Sequence, residues 1–221
     1  METKIQDCKE FLQRYWNYYL ILEKDFLTTE RYLAIDTLNF KAYSNEYIKI
    51  FQTVCSEIDV IAKSYCDALG TKAKNINDYF KCITIKNSDF TNRTIILSGK
   101  SIDLQPWIDW SCTNTVQSDG TSKASFSSPD WWTKYNKVKH SRTTKNQATG
   151  LPYYKLANQE NVLSSLAALF QLEMYYYKYL HEHTASNEPD VPYPSSEIFS
   201  IKDWGSNSII IGSNLWIDTQ E

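Results

Sequence analysis

Apolar residues recur at three- and four-residue steps through residues 5 to 35, at Ile5, Cys8, Leu12, Tyr15, Tyr19, Leu22 and Phe26. That period predicts one long helix whose stripe buries against other helices. Glu23, Lys24 and Asp25 are expected on its solvated side. A second stripe, Tyr47, Phe51, Val54, Ile58, Ile61 and Tyr65, predicts a helix capped by Ser44 and stopped by Gly70. Tyr43 and Ile48 are placed to staple its start. Glu57 and Asp59 flank Ile58 at about 100° on either side, as rim carboxylates that are solvated or paired with a lysine of a neighbouring helix.

Residues 75 to 82 suggest a short helix. Ile83-Thr84-Ile85 and Thr94-Ile95-Ile96-Leu97, separated by Asn87 to Arg93, read as a small hairpin. Gly99 to Ser127 is rich in Ser, Thr, Asn and Asp, a surface insertion or mobile loop anchored by Pro106, Trp107 and Trp110. Ser128-Pro129-Asp130 opens a third main helix to about Ser141, with Ser128 as cap. A loop follows over Thr143 to Pro152. Asn158 caps a last helix to about His181, apolar over more than half its girth and therefore central. Thr184 to Ser196 reads as a linker, and Ile209-Ile210-Ile211 with Leu215-Trp216-Ile217 as a terminal hairpin. The expected class is mainly α: about four principal helices with a small β insertion and a C-terminal β hairpin. The bundle domain spans 1–183, with the insertion at about 83–127. Residues 184–221 form a linker and β extension packed on the same domain.

Composition supports a globular chain: 221 residues, 42% hydrophobic and 22% charged. No run of eighteen apolar residues suggests a membrane span, and the polar N-terminus shows no secretory pattern. A cytoplasmic protein is the expectation, and the Asn92-Arg93-Thr94 sequon carries no weight there. Five scattered cysteines without a CxxC pair read as buried reduced thiols, and metal-ligand spacing is absent.

Charge is unevenly distributed. The chain has a net charge of -3, yet from Trp131 to Gln159 it has no acidic residue and six basic ones: Lys134, Lys137, Lys139, Arg142, Lys145 and Lys155. Such a window is a candidate footprint for phosphate or RNA; a basic surface without function is the bland alternative. At about 100° per residue, Trp131, Tyr135, Val138 and Arg142 share one side of the third helix. Asn136 and His140 share the other, one turn apart, with Trp132, Thr133 and Lys139 beside them. A histidine exchanges protons near neutral pH. Asn136 is placed to orient it or to hold a phosphate oxygen, and the cations to stabilise a phosphodiester in transit. RNA brings its own 2′-hydroxyl nucleophile, so this chemistry needs no metal or cofactor. The competing reading is a histidine that hydrogen-bonds at the helix end, where a cation also suits the dipole.

The plan resembles a HEPN domain: two long helices, an irregular excursion, a short helix ending in histidine, then a long helix, over about residues 5 to 181. Active members share an Arg-x4–6-His motif, often with Asn after the Arg. Asn136-Lys137-Val138-Lys139-His140 matches its second half, while Tyr135 stands where Arg is expected. The resemblance implies metal-independent RNA cleavage with His140 and Asn136 as catalytic residues, in phage defence or a toxin system. Lys134, Lys137, Lys139, Arg142, Lys145 and Trp132 would then hold RNA. It also implies a homodimer joining two motifs, and a protein partner such as an antitoxin. Inactive relatives that bind nucleotides or partners make a non-catalytic interaction module, or a helical scaffold without enzyme activity, the alternative.

His181-Glu182-His183 resembles a metal cluster, but i,i+2 spacing sends the two imidazoles to different sides of a helix. Tyr18-Tyr19 and Tyr175-Tyr176-Tyr177 read as packing. The six glycines build no phosphate-binding loop.

Overall fold

Helix α6 (Gln159–His183) is the axis of the molecule. Nearly every side chain from Gln159 to Tyr177 is buried, and the helix touches α1 (Cys8–Phe11), α2 (Asn17–Thr29), α3 (Asn45–Ala68) and α5 (Asp130–Ser141). α4 (Ile76–Lys86) packs on α3. The computed structural model describes residues 5–116 and 121–205, together with the backbone of strands at 208–211 and 215–218. The chain is mainly α with small antiparallel sheets.

Local capping chemistry sets the ends of the two longest helices. Ser44 Oγ accepts from Tyr47 N at 3.0 Å, and Asn158 Oδ1 from Asn161 N at 3.0 Å. α3 closes in a Schellman motif: Thr71 N donates to Cys66 O and Gly70 N to Asp67 O, with Gly70 at φ 78°. α6 continues to His183, two residues past the expected end.

The N-terminal helix departs from expectation. A π-helical stretch, Leu12–Trp16, separates α1 from α2, and α2 stops at Thr29 rather than near residue 35. Phe11 and Trp16 are both buried. Five residues apart, they would diverge by about 140° on a regular α-helix; the wider turn brings both inward. At the far end the Thr28 and Thr29 hydroxyls bond back to Lys24 O at 2.8 Å and Phe26 O at 2.6 Å. The backbone then tightens into i−3 turns. Glu23, expected in solvent, is 3% exposed. Its carboxylate accepts from Tyr19 Oη at 2.7 Å, from Ser196 Oγ, and from the Glu197 and Ile198 amides at 3.0 and 3.5 Å.

The expected hairpin between 83–85 and 94–97 does not form. Ile83, Thr84 and Ile85 belong to α4, because Tyr79, Cys82 and Ile83 form a buried helical stripe and packing overrides β propensity. β1 (Ile95–Leu97) instead pairs antiparallel with β2 (Asp103–Leu104) and with β5 (Phe199–Ile201). Trp107 and Trp110 are buried anchors, as their place in the polar stretch suggests. The same stretch also hides an exposed hairpin, β3 (Ser111–Val116) with β4 (Ser122–Ser127). The terminal hairpin forms between β6 (Ser208–Ile211) and β7 (Leu215–Asp218). Of the rim carboxylates, Asp59 accepts from Tyr79 Oη at 3.1 Å, and Glu57 is half-buried.

Candidate functional site

α5 carries the basic window. Pro129 occupies its N-cap position, with no side-chain cap from Ser128, and Asp130 sits in the first turn. Trp131, Tyr135 and Val138 form its buried face. Trp131 Nε1 donates to Pro106 O at 2.6 Å and its ring meets Trp107 edge-on at 5.2 Å. Tyr135 meets Phe51 of α3 at 6.0 Å, also edge-on. These contacts hold the helix in one rotational setting, so the residues on its outer face have defined positions.

On that outer face Asn136 is half-buried and His140 exposed. Neither side chain makes a hydrogen bond, ion pair or ring contact among the described residues. His140 is therefore not held by the helix end, and its imidazole is open to solvent. Measured from His140, Asn136 lies about 40° around the axis, Lys137 about 60° on the other side, and Lys139 about 100° away.

The cations divide into two kinds. Lys134 forms an ion pair with Asp130 and donates to Asn161 Oδ1 at 3.3 Å, tying α5 to α6. Its charge is already neutralised. Lys137, Lys139, Arg142 and Lys145 are exposed and have no acidic partner among the described residues. Lys137 Nζ lies 5.6 Å from the Tyr153 ring centroid and Lys139 Nζ 5.5 Å from that of Tyr135. Lys145 stands on a loop closed by the Asn146 N to Leu151 O bond at 2.9 Å. The Tyr154 amide donates to Arg142 O at 2.9 Å, holding that loop against the helix end. Trp132 is half-buried, with its ring 5.8 Å from Trp131 and 5.3 Å from Tyr135.

Tyr135, one residue before Asn136, is buried, and burial pushes its phenol up to about 12. It is neutral there and contributes no charge. The structure puts Asn136, Lys137, Lys139 and His140 on the later turns of α5, Arg142 at its C-cap and Lys145 on the loop that follows. It sets Lys134 and Trp132 into packing roles.

His181 and His183 diverge at the end of α6: His181 Nε2 bonds with Glu188 O at 3.2 Å and His183 Nδ1 with Tyr179 O at 2.8 Å. Among the described residues no three His, Cys, Asp or Glu side chains are grouped as a metal ion requires. Among them too, no helix is long and apolar enough to cross a membrane. Cys8, Cys55, Cys66 and Cys82 are buried free thiols; Cys112 is half-buried.

Two further groups escaped the sequence reading. One is a cluster of Lys86, Arg93 and Lys178 with Trp204. The other is Glu173, fully buried in α6 with neither carboxylate oxygen bonded among the described residues. A charged residue inside the apolar run from Val162 to Tyr177 was the available signal for the second.

No protein-family model, curated protein or solved structure matches this chain.

Proposed function

We propose that the end of α5 and the loop after it bind the RNA backbone, as a HEPN-like domain. The observation that carries this is that Lys137, Lys139, Arg142 and Lys145, on the same short stretch as His140, are all exposed and none has an acidic partner among the described residues. A surface of this kind attracts phosphates, and its cations replace condensed counterions. Lys137, Arg142 and Lys145 serve as phosphate contacts. Lys139 and Asn136 hold the strand beside the imidazole.

In the active form of this reading His140 takes the proton of a 2′-hydroxyl, or gives one to the departing 5′-oxygen. One imidazole does one of these in a turnover, so a second copy supplies the other, and a homodimer belongs to the reading. Phage defence or a toxin system, with an antitoxin-like partner, is the setting that the family likeness supplies. The non-catalytic form is favoured by two observations: Tyr135 is buried where the family's arginine would stand, and Lys134 is paired with Asp130. Binding without cleavage is the form we place first.

Fluorescence anisotropy with a short single-stranded RNA tests the reading across a salt series. Each lost phosphate contact on a single strand lowers the log–log salt slope by about 0.7, so the Lys137→Ala, Arg142→Ala double variant loses about 1.4. RNA cleavage in EDTA, wild type beside His140→Ala, separates enzyme from binding module. Absence of RNA binding at low salt removes the reading and leaves an acidic protein as the partner of this face.

A further inference from the structure

The opposite end of α6 holds a second cationic group, roughly 30 Å from the helix start at 1.5 Å per residue. A cleft of about 270 Å³ opens there between the end of α4, the turn before β1, the last turns of α6, and Trp204. Lys86, Arg93 and Lys178 line it. Aromatic rings fix all three. Lys178 Nζ lies 5.1 Å and Arg93 Cζ 5.9 Å from the Trp204 ring centroid, and Lys86 Nζ lies 5.5 Å from that of Tyr179. The positive groups are thereby gathered around one concavity rather than dispersed into solvent.

Their charge is only partly answered. Arg93 pairs with Asp89 and also donates to Tyr175 Oη at 3.1 Å. Lys178 stands 4.0 Å from Glu182, the outer limit of an ion pair. Lys86 has no acidic partner among the described residues. The lining holds three cations against two carboxylates.

An independent observation points to an acceptor in the same place. The Tyr65 side chain is fully buried and lines the cleft. Its hydroxyl accepts from Asn87 Nδ2 at 2.9 Å, and its own proton has no acceptor among the described residues. Burial raises the phenol's pKa, so that proton is retained as a donor. Buried donors are normally paired, and an anionic oxygen in the cleft would complete this one.

We propose that the cleft binds the phosphate group of a small phosphomonoester, with Lys86 and Lys178 neutralising its charge and Tyr65 donating to one of its oxygens. Phosphate suits this arrangement because it presents several acceptor oxygens and up to two negative charges to donors from different directions. The volume lies near the lower end for small-molecule sites, which fits a compact ligand.

Isothermal titration of the full chain at fixed ionic strength tests this, with inorganic phosphate in one arm and a sugar or nucleoside monophosphate in the other. Saturable binding is expected, weakened roughly tenfold or more by each of Lys86→Ala and Lys178→Ala. Both lysines are exposed, so the fold should survive, and circular dichroism checks it. Tyr65→Phe keeps the ring and removes only the donor; it is expected to weaken binding severalfold. Lys123→Ala, on the exposed β3–β4 hairpin and in neither candidate site, should leave it unchanged. Tighter binding of the monoester than of inorganic phosphate supports the site with an organic ligand, and equal binding supports it with free phosphate. No saturable binding in either arm, or binding unmoved in the Lys86→Ala, Lys178→Ala double variant, overturns the proposal.

Discussion

Glu173 gives the sharpest physical test of the architecture. Its carboxyl sits in the middle of α6 with 0% exposure, and neither oxygen meets a hydrogen-bond partner among the described residues. The nearby Tyr19 hydroxyl already serves Glu23. Burial holds the Glu173 acid well above the ordinary carboxyl range, and the charge of Glu57 on α3 pushes it further the same way. An acid whose pKa is raised by folding keeps its proton in the native state while the unfolded chain gives it up. Stability is then full below the unfolded value of about 4.3 and falls as pH rises, until the native group ionises too. The slope is about 1.4 kcal/mol per pH unit inside that window.

Glu173→Gln keeps the shape and removes the titration. The variant should match the wild type near pH 4 and gain on it by about 1.4 kcal/mol for each unit above about 4.3. Glu173→Leu additionally removes an unsatisfied buried polar group, for a further gain of about 1–3 kcal/mol at every pH. Glu57→Gln should lower the upper end of the window, because one of the two causes of the shift is removed. Urea unfolding at pH 4.5, 6 and 7.5 measures all three. A stability difference between wild type and Glu173→Gln that stays flat over this range refutes the argument. A difference of opposite sign means that the carboxylate is charged and paired in the folded protein.

Two further outcomes follow from the packing. Tyr135→Arg should destabilise the protein by about 3 kcal/mol or more, since the position is 4% exposed against Phe51; guanidinium denaturation checks it, and wild-type stability would show that the side chain finds a route to solvent. Glu23→Ala should cost about 3 kcal/mol, because it strands two hydroxyls and two amides that now bond to a carboxylate; hydrogen exchange should show the Ile198–Ile201 amides opening first.

Elements decided within a few residues were readable from the sequence. Ser44, Asn158 and Gly70 act on neighbours three to five residues away, so the starts of α3 and α6 and the end of α3 could be placed. The polar face of α5 was equally legible, because the helical period alone puts His140 and Asn136 together. What escaped was decided at long range. Glu23 is buried because Ser196 and the two amides after it cover it, and β1 finds β5 a hundred residues later. No local pattern distinguishes Ile83-Thr84-Ile85 as helix from the same residues as strand; contact with α3 does. Lys134 is the instructive case. Its i,i+4 partner Asp130 was in plain view, and that spacing on a helix already implies a neutralised lysine.

Both candidate sites share one construction, and that bears on how their variants should be interpreted. In each, buried aromatics fix a helix that carries exposed cations: Trp131 and Tyr135 in α5 with Lys137 and Lys139, Tyr175 and Tyr176 in α6 with Lys178. The charged groups therefore contribute little to the core, since exposed ion pairs are worth about 0–1 kcal/mol. Removing Lys137, Arg142, Lys86 or Lys178 changes the local field with little effect on the scaffold. Arg93 is different: it bridges Asp89, Tyr175 and Trp204, so its loss would mix binding with folding. The exposed lysines, rather than the better-connected arginine, are the residues whose substitution separates function from stability.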